Sequence, residues 1–487
     1  MKESDPNYLL LKQNEAVVRE NIRNVAIIAH VDHGKTTLVD CLLQDSGYSS
    51  GEERVMDKND LEKEKGITIM AKATAVNYKG CQINIVDTPG HSDFGGEVER
   101  IMTMVDGVIL LVCATEGPMA QTKYVLKKAI QANKKVIVIV NKVDRPTARV
   151  EEVENEIFDL FCEVDSDEKF SDFITMYASG KEGWATPEFD ENKLAEYGSR
   201  NTLCVLDSII DGISCPQIDE SIAEFSMLGS QVDFNNYFGK IIRGKVNSGT
   251  IETHQLINVY DQDNNLVQTG KVSKLFKNMN LADVEINKAS AGEIISIAGL
   301  SDAKINCVIL DKAFAESNPG FTIKGRDVDA PLLMTKVKPN SSPMSGKSEN
   351  YTFGALKDRF LKEAEIDAAL RVELLSNELY IYGRGDLHLG ILFEKVRREQ
   401  YEFELSAPSV VTKEGPKGEI LQPIEDLKIE CDIEHIPILI ERLMKRRAYV
   451  SDCYDIDNDR HVINAQITSK GKTFSPLKFF RHDWFPN

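Results

Sequence analysis

The sequence predicts a multidomain chain: a doubly wound α/β domain, then a small β-barrel, then α+β sandwiches. Three observations carry this. Strand-like and helical stretches alternate from about residue 22 to 215. Short strands with turn signals follow from about Glu224 to Ile309. A strand–helix–strand–strand–helix–strand order then runs from Leu332 through Val411, the ferredoxin-like pattern. The length of 487 residues suits about three or four domains, each with its own core.

The first strand is the apolar run Asn24–Ala29, and Leu38–Leu43 resumes at helical spacing. Between them, His30-Val-Asp-His-Gly-Lys-Thr36 forms a loop whose backbone N–H groups can converge on an anion at a helix N-terminus. Asp32, His33, Gly34, Lys35, Thr36 and Thr37 are the expected nucleotide contacts. Gly34 lets the backbone come close, Lys35 brings charge to the β- and γ-phosphates, and Thr36 can ligate Mg²⁺. Ala29 stands where such loops usually open with Gly. Alone, this stretch also fits a Gly-Lys-Thr helix start in an unrelated α/β protein.

The strand Gln82–Val86 ends in Asp87, suited to holding Mg²⁺ through water, with Thr68 closing over metal and γ-phosphate. Gly90 is small enough for its N–H to approach that phosphate, and His91 follows where many GTPases use Gln to orient water. Phosphoryl transfer needs positioning and charge neutralisation, so His91 is read as the catalytic, water-orienting residue. The polar, Gly-bearing loop from about Ser46 to Ile67 suits a segment ordered by the γ-phosphate. Lys135–Val140 is another buried strand, and Asn141-Lys142-Val143-Asp144 leaves its carboxyl end, where parallel sheets bind ligands. The Asp144 carboxylate can accept the N1–H and 2-amino hydrogens of guanine, and adenine offers neither. The Lys142 stem can lie over the purine, and Ala178-Ser179 can offer an N–H to O6. Beside the phosphate loop, these residues point to GTP rather than a surface turn.

The strings His30–Thr36 and Asp87-Thr-Pro-Gly-His91 resemble those of the translational GTPases. Glu53–Ile69, Phe94–Arg100 and Glu116–Thr122 are similar to the BipA/TypA family of ribosome-associated GTPases. Gly383–Leu389 resembles the third domain of that family and of elongation factor G. The likeness runs from about Asn21 to Ile463 and is strongest over 21–180. It makes the first domain an α/β P-loop GTPase domain. It implies slow GTP hydrolysis stimulated by the ribosome, in ribosome assembly or stress-adapted translation. It also implies that ribosomal RNA helps set His91, that Val31 and Ile67 flank its path to water, and that Asp32 sits near the phosphates. Ribosomal RNA and proteins are the implied partners of a chain expected to be a monomer, with guanine nucleotide and Mg²⁺ as substrate and cofactor.

The remaining sequence bounds this reading. With 77 acidic and 58 basic residues the net charge is −19, the wrong sign for nonspecific RNA affinity. Arg442, Lys445, Arg446 and Arg447 form a local basic run on an expected helix from Ile436 to Tyr449. It reads equally as an RNA contact or a solvated helix face. No apolar stretch reaches the roughly 20 residues that span a bilayer, so no membrane association is expected. Nine cysteines without a Cys-x-x-Cys pair suit reduced thiols in a cytosol-like compartment, and an organelle with its own ribosomes stays open.

The expected domain limits are an N-terminal extension 1–21, the GTP-binding domain 22–215, the barrel 224–309 and a linker 313–330. A ferredoxin-like domain 331–413 follows, then a partial second one with a divergent tail, 424–487. A hairpin at Lys79-Gly80 gives the parallel sheet one antiparallel edge pair. The two sandwiches adjoin, leaving no room for the extra domain by which elongation factor G drives translocation. After His461–Thr468 the resemblance fades, and the aromatic tail Phe474–Asn487 can cover the unfinished sandwich, dock a partner or mark a shortened product. Two functions therefore stand: a ribosome-stimulated GTPase, or a GTP-dependent regulatory module uncoupled from ribosomal turnover.

Overall fold

The computed structural model describes residues 21–47, 60–164, 173–218, 222–326, 329–455 and 460–469, apart from 199, 236, 280–281, 344, 347, 349, 376–377 and 416–417. The expected N-terminal extension, most of the 46–67 loop with the 53–59 part of its string, and the aromatic tail lie outside the described residues. The chain forms two compact units, 1–328 with 365–368, and 329–364 with 369–487. Among the described residues, no helix is long and apolar enough to cross a membrane.

The first unit opens with strands β1 (Ile22–Ala29), β2 (Lys72–Tyr78), β3 (Cys81–Asp87), β4 (Gly107–Cys113), β5 (Lys135–Asn141), β6 (Ile174–Ser179) and β7 (Trp184–Thr186). Their sheet order is β2-β3-β1-β4-β5-β6-β7. The five strands from β3 to β6 are parallel, and burial on both faces accounts for the long apolar runs of β1, β4 and β5. Alternation sorts β1 between two cores. Val25, Ile27 and Ala29 pack with Leu38 and Leu42 of helix Lys35–Asp45, while Ala26 and Ile28 join Val98 and Ile101 of helix Gly95–Met104. Strand order reverses at β1, so a crevice opens at the carboxyl ends of β1, β3 and β4, where such sheets take ligands.

β2 and β3 pair antiparallel through Lys79 and Gly80, both at positive φ, as the expected hairpin requires. A second antiparallel strand, β7, closes the other edge. Its three residues are too few to carry a periodic signal, although Trp184 is fully buried.

Residues 226–311 form an eight-stranded antiparallel sheet around Met227, Ile242, Val246, Leu275, Ile297 and Ile309, the barrel of the fold. Asp106 ties it to the α/β sheet, accepting from Lys245 Nζ at 2.5 Å and from Asn24 Nδ2 at 2.7 Å. Asn24 Nδ2 also donates to the Gly292 carbonyl at 3.0 Å. The stretch read as a linker begins with a helix, Lys312–Ser317, capped by the Asp311 carboxylate. Its Ala315 packs on Leu228, Val308 and Leu310, so this part is attached to the barrel.

Beyond the barrel, Leu333–Pro339, Phe353–Ile366, Arg371–Leu375, Glu378–Gly383, Asp386–Arg398 and Phe403–Leu405 follow the βαββαβ order, all but residues 365–366 in the second unit. The strands starting at 371, 378, 333 and 403 lie in that spatial order, the ferredoxin-like arrangement. Further on, Ile424–Asp432, Arg460–Thr468 and Tyr449–Asp455 make a three-stranded sheet, with Leu443 of helix Ile436–Lys445 packed on Ile463 and Ala465. That helix stops at Lys445, four residues short of the expected Tyr449. Arg447 turns to φ 59°, so Arg446 and Arg447 lie in the turn beyond it. Cationic side chains at a helix C-terminus also complement its macrodipole, a structural account of the basic run.

Candidate functional site

The turn after β1 carries two left-handed residues, Asp32 at φ 61° and Gly34 at φ 92°. For Asp32 this is an uncommon conformation, held here by the surrounding loops. The Asn141 side chain is the central staple. Its Nδ2 donates to the His33 carbonyl at 2.8 Å and its Oδ1 accepts from the Gly180 N–H at 3.0 Å. A Cβ on Gly34 would meet Asn141 Nδ2 at 2.5 Å, so glycine is required both by φ and by this approach. Lys142, also left-handed at φ 64°, reaches back from β5 to donate to the Asp32 carbonyl at 2.5 Å. The expected phosphate and base ends of the site are thus physically tied together.

These loops surround a cleft of about 270 Å³. Of the expected site residues, Asp32, Gly34, Lys35, Thr36, Thr37, Thr68, Gly90, His91 and Lys142 line it, as do Val31 and Ile67. Lys35 Nζ lies 3.5 Å from Asp87 Oδ1 and 3.4 Å from Thr68 Oγ1, and Thr68 Oγ1 donates to Asp87 Oδ2 at 3.4 Å. Three segments far apart in sequence therefore meet at one point. Thr36, Thr68 and Asp87 offer oxygen donors only, the set that a hard divalent cation takes. Gly90 packs against the loop backbone, where a Cβ would stand 2.9 Å from the Ala29 carbonyl oxygen.

His91 is about one-third exposed on the cleft wall. The Asp93 N–H donates to its Nδ1 at 3.1 Å, with Asp93 Oδ1 3.6 Å away. In the neutral ring the proton then sits on Nε2, a tautomer inferred from these partners.

The remaining expected residues sit behind or beside the cleft. Asp144 is half-buried and, among the described residues, has no hydrogen-bonding or ionic partner. Ala178 and Ser179 are fully buried, with Ser179 Oγ accepting from the Glu182 N–H at 3.2 Å. The His33 side chain faces away from the cleft. Its Nδ1 accepts from the Cys113 N–H at 3.3 Å, and its Nε2 lies 3.2 Å from Glu116 Oε2. Sequence reasoning missed this Glu116 contact, and it missed Arg145, which lines the cleft directly after Asp144.

Burial, and then the neighbouring His30, push the His33 imidazole down to about 4. An unfolded His titrates near 6.5, so between these values the unfolded chain binds the extra proton. Stability from the neutral ring is complete above pH 6.5 and is lost as pH falls toward 4. Denaturant unfolding from pH 7.5 to 4.5 is expected to show this decline, at no more than about 1.4 kcal/mol per pH unit. His33→Gln should flatten it relative to the parent chain.

Comparison with known proteins follows the same outline. Residues 20–216 match the elongation factor Tu GTP binding domain. The chain is 41% identical over 457 residues to the large ribosomal subunit assembly factor BipA of Synechocystis sp., covering 92% of this chain and 74% of the relative. It is 39% identical over 464 residues to the BipA of Bacillus subtilis, covering 93% and 73%. Among solved structures, the crystal structure of ttk003000868 from Thermus thermophilus superposes with a TM-score of 0.64 at 14% identity. It covers 93% of this chain and 94% of the other, a likeness of fold.

Proposed function

Because the chain belongs to the BipA family of translational GTPases, we propose that it works on the ribosome, in large-subunit assembly or stress-adapted translation. One observation carries this reading: the likeness to BipA extends over 92% of the chain, far beyond the nucleotide-binding residues 20–216. We also propose that it acts as a monomer, and in a cytosol-like compartment, the latter supported by nine cysteines that form no disulfide among the described residues. The domain limits 22–215, 224–309, 331–413 and 424–487 are proposals supported by the separate sheets they contain.

GTP is the substrate. Its phosphates are assigned to the backbone of Asp32–Thr37, with Lys35 opposite the β- and γ-oxygens. Asp144 is assigned the guanine edge and Lys142 the purine face, while Asn141 holds the two loops at the right spacing. Ala178 and Ser179 border the base end. Thr36, Thr68 and Asp87 are the residues that would hold Mg²⁺, which when bound neutralises charge on the phosphate oxygens. Gly90 brings its N–H beside the γ-phosphate.

His91 is assigned the attacking water, between Val31 and Ile67. With Nδ1 occupied by the Asp93 N–H, the neutral ring has a donor rather than a lone pair at Nε2. Such a ring orients water and stabilises developing negative charge instead of removing a proton. Ribosomal RNA is proposed to bring this partly exposed side chain into its working position.

GTP turnover by the full chain, measured with purified small subunits, large subunits and assembled ribosomes, tests the proposal. Particles containing the large subunit are expected to raise the rate. A rate unchanged by all three would instead assign the chain to GTP-dependent binding uncoupled from ribosomal turnover.

A further inference from the structure

We infer that Glu62 is a positioning residue that latches the Thr68 segment over the nucleotide cleft. Glu62 is only 1% exposed, although it carries a carboxylate. Its Oε1 accepts from the Ile69 N–H at 3.0 Å and the Met70 N–H at 3.3 Å, and its Oε2 meets the Lys72 ammonium. Its main-chain carbonyl accepts from the Gly66 N–H at 2.7 Å. One residue therefore holds both ends of the span Gly66-Ile67-Thr68, all of which line the cleft.

The geometry makes this span a strap. On one side Gly66, at φ 68°, ends the short helix Asp60–Lys65; on the other, Ile69 is buried. Between them Thr68 Oγ1 stands 3.4 Å from both Lys35 Nζ and Asp87 Oδ2. The Thr68 hydroxyl can leave only if residues 66–68 rearrange or the Glu62 carboxylate releases its partners. Hydrogen bonds to a buried charge are strong, and breaking them leaves unpaired polar groups behind. The latch thus biases the free chain toward the Thr68-in arrangement.

This inference rests on the proposed reading of Thr68 as a residue that serves the γ-phosphate end. A ligand shifts such an equilibrium only by its differential interaction with the two arrangements. A guanosine triphosphate would gain from a preset Thr68, and GDP would not. Weakening the latch should therefore penalise the triphosphate alone.

The test is equilibrium binding of a non-hydrolysable GTP analogue and of GDP, with Mg²⁺ varied, by the full chain and three variants. Glu62→Ala is expected to weaken the triphosphate about tenfold, the worth of one charge-assisted hydrogen bond. GDP affinity should stay where it was, which also reports an intact fold. Glu62→Gln keeps an oxygen for the two N–H groups and should recover most of the loss. Thr68→Ala should weaken the triphosphate selectively, whatever Glu62 does. If Thr68→Ala affects neither nucleotide, the reading of Thr68 fails and takes the latch with it. If Thr68→Ala is selective while Glu62→Ala weakens both nucleotides equally, or neither, the latch alone is refuted.

Discussion

His91→Ala is expected to lower ribosome-stimulated GTP hydrolysis by roughly 10²–10³-fold, the range lost with one preorganised hydrogen-bond donor. GTP and GDP affinities should hardly change. The side chain is one-third exposed, and Asp93 and Phe94, among its partners, lie within three residues of it. Its removal therefore disturbs little of the fold. His91→Gln is the informative companion, since Gln also carries a donor that can orient water. If Nε2 acts as a donor, Gln should retain part of the stimulated rate; if the ring must remove a proton, Gln should behave like Ala. Single-turnover hydrolysis with saturating ribosomes, beside equilibrium nucleotide binding, separates the chemical step from affinity. An alanine variant with ordinary stimulated turnover would assign the water to another group.

ATP is expected to bind at least roughly 10⁴-fold more weakly than GTP, as sites built to pair with a polar edge reject analogues lacking it. Adenine would leave the half-buried Asp144 carboxylate, which has no ionic or hydrogen-bonding partner among the described residues, facing a group that donates nothing to it. The same argument makes a reversal testable. Asp144→Asn presents one donor and one acceptor where the carboxylate had two acceptors. Xanthine, with N1–H beside a 2-oxo group, matches that pattern, whereas guanine does not. Competition binding should show the Asn variant losing GTP and gaining xanthosine triphosphate. Comparable ATP and GTP affinities in the parent chain would refute the assignment of Asp144.

The parts of the site legible in the chain are those whose chemistry is carried by contiguous residues. His30–Thr36, Asp87–His91 and Asn141–Asp144 each leave the carboxyl end of a strand rich in apolar residues, and each strand proved parallel to a neighbour and buried. Sequence reasoning is silent where a side chain's role depends on a distant partner. Asn141 reads as part of a base-recognition string, yet its side chain spends both its amide groups on His33 and Gly180. His33 reads as a nucleotide contact through its backbone, and the sequence did not show that its ring lies behind the loop against Cys113 and Glu116. Glu62 sits in a run of charges that resembles any solvated helix, and only its burial reveals the difference.

The order of elements and the guanine-nucleotide chemistry were determined by the sequence itself, because hydrophobic periodicity and short loop motifs act over a few residues at a time. Tertiary structure decided which of those loops touch. Lys35, Thr68 and Asp87 come from three segments and meet within 3.5 Å only because the sheet sets β3 beside β1 and a buried carboxylate holds the Thr68 segment in place. Such contacts depend on burial and on the sum of long-range packing, which no local stretch of residues encodes.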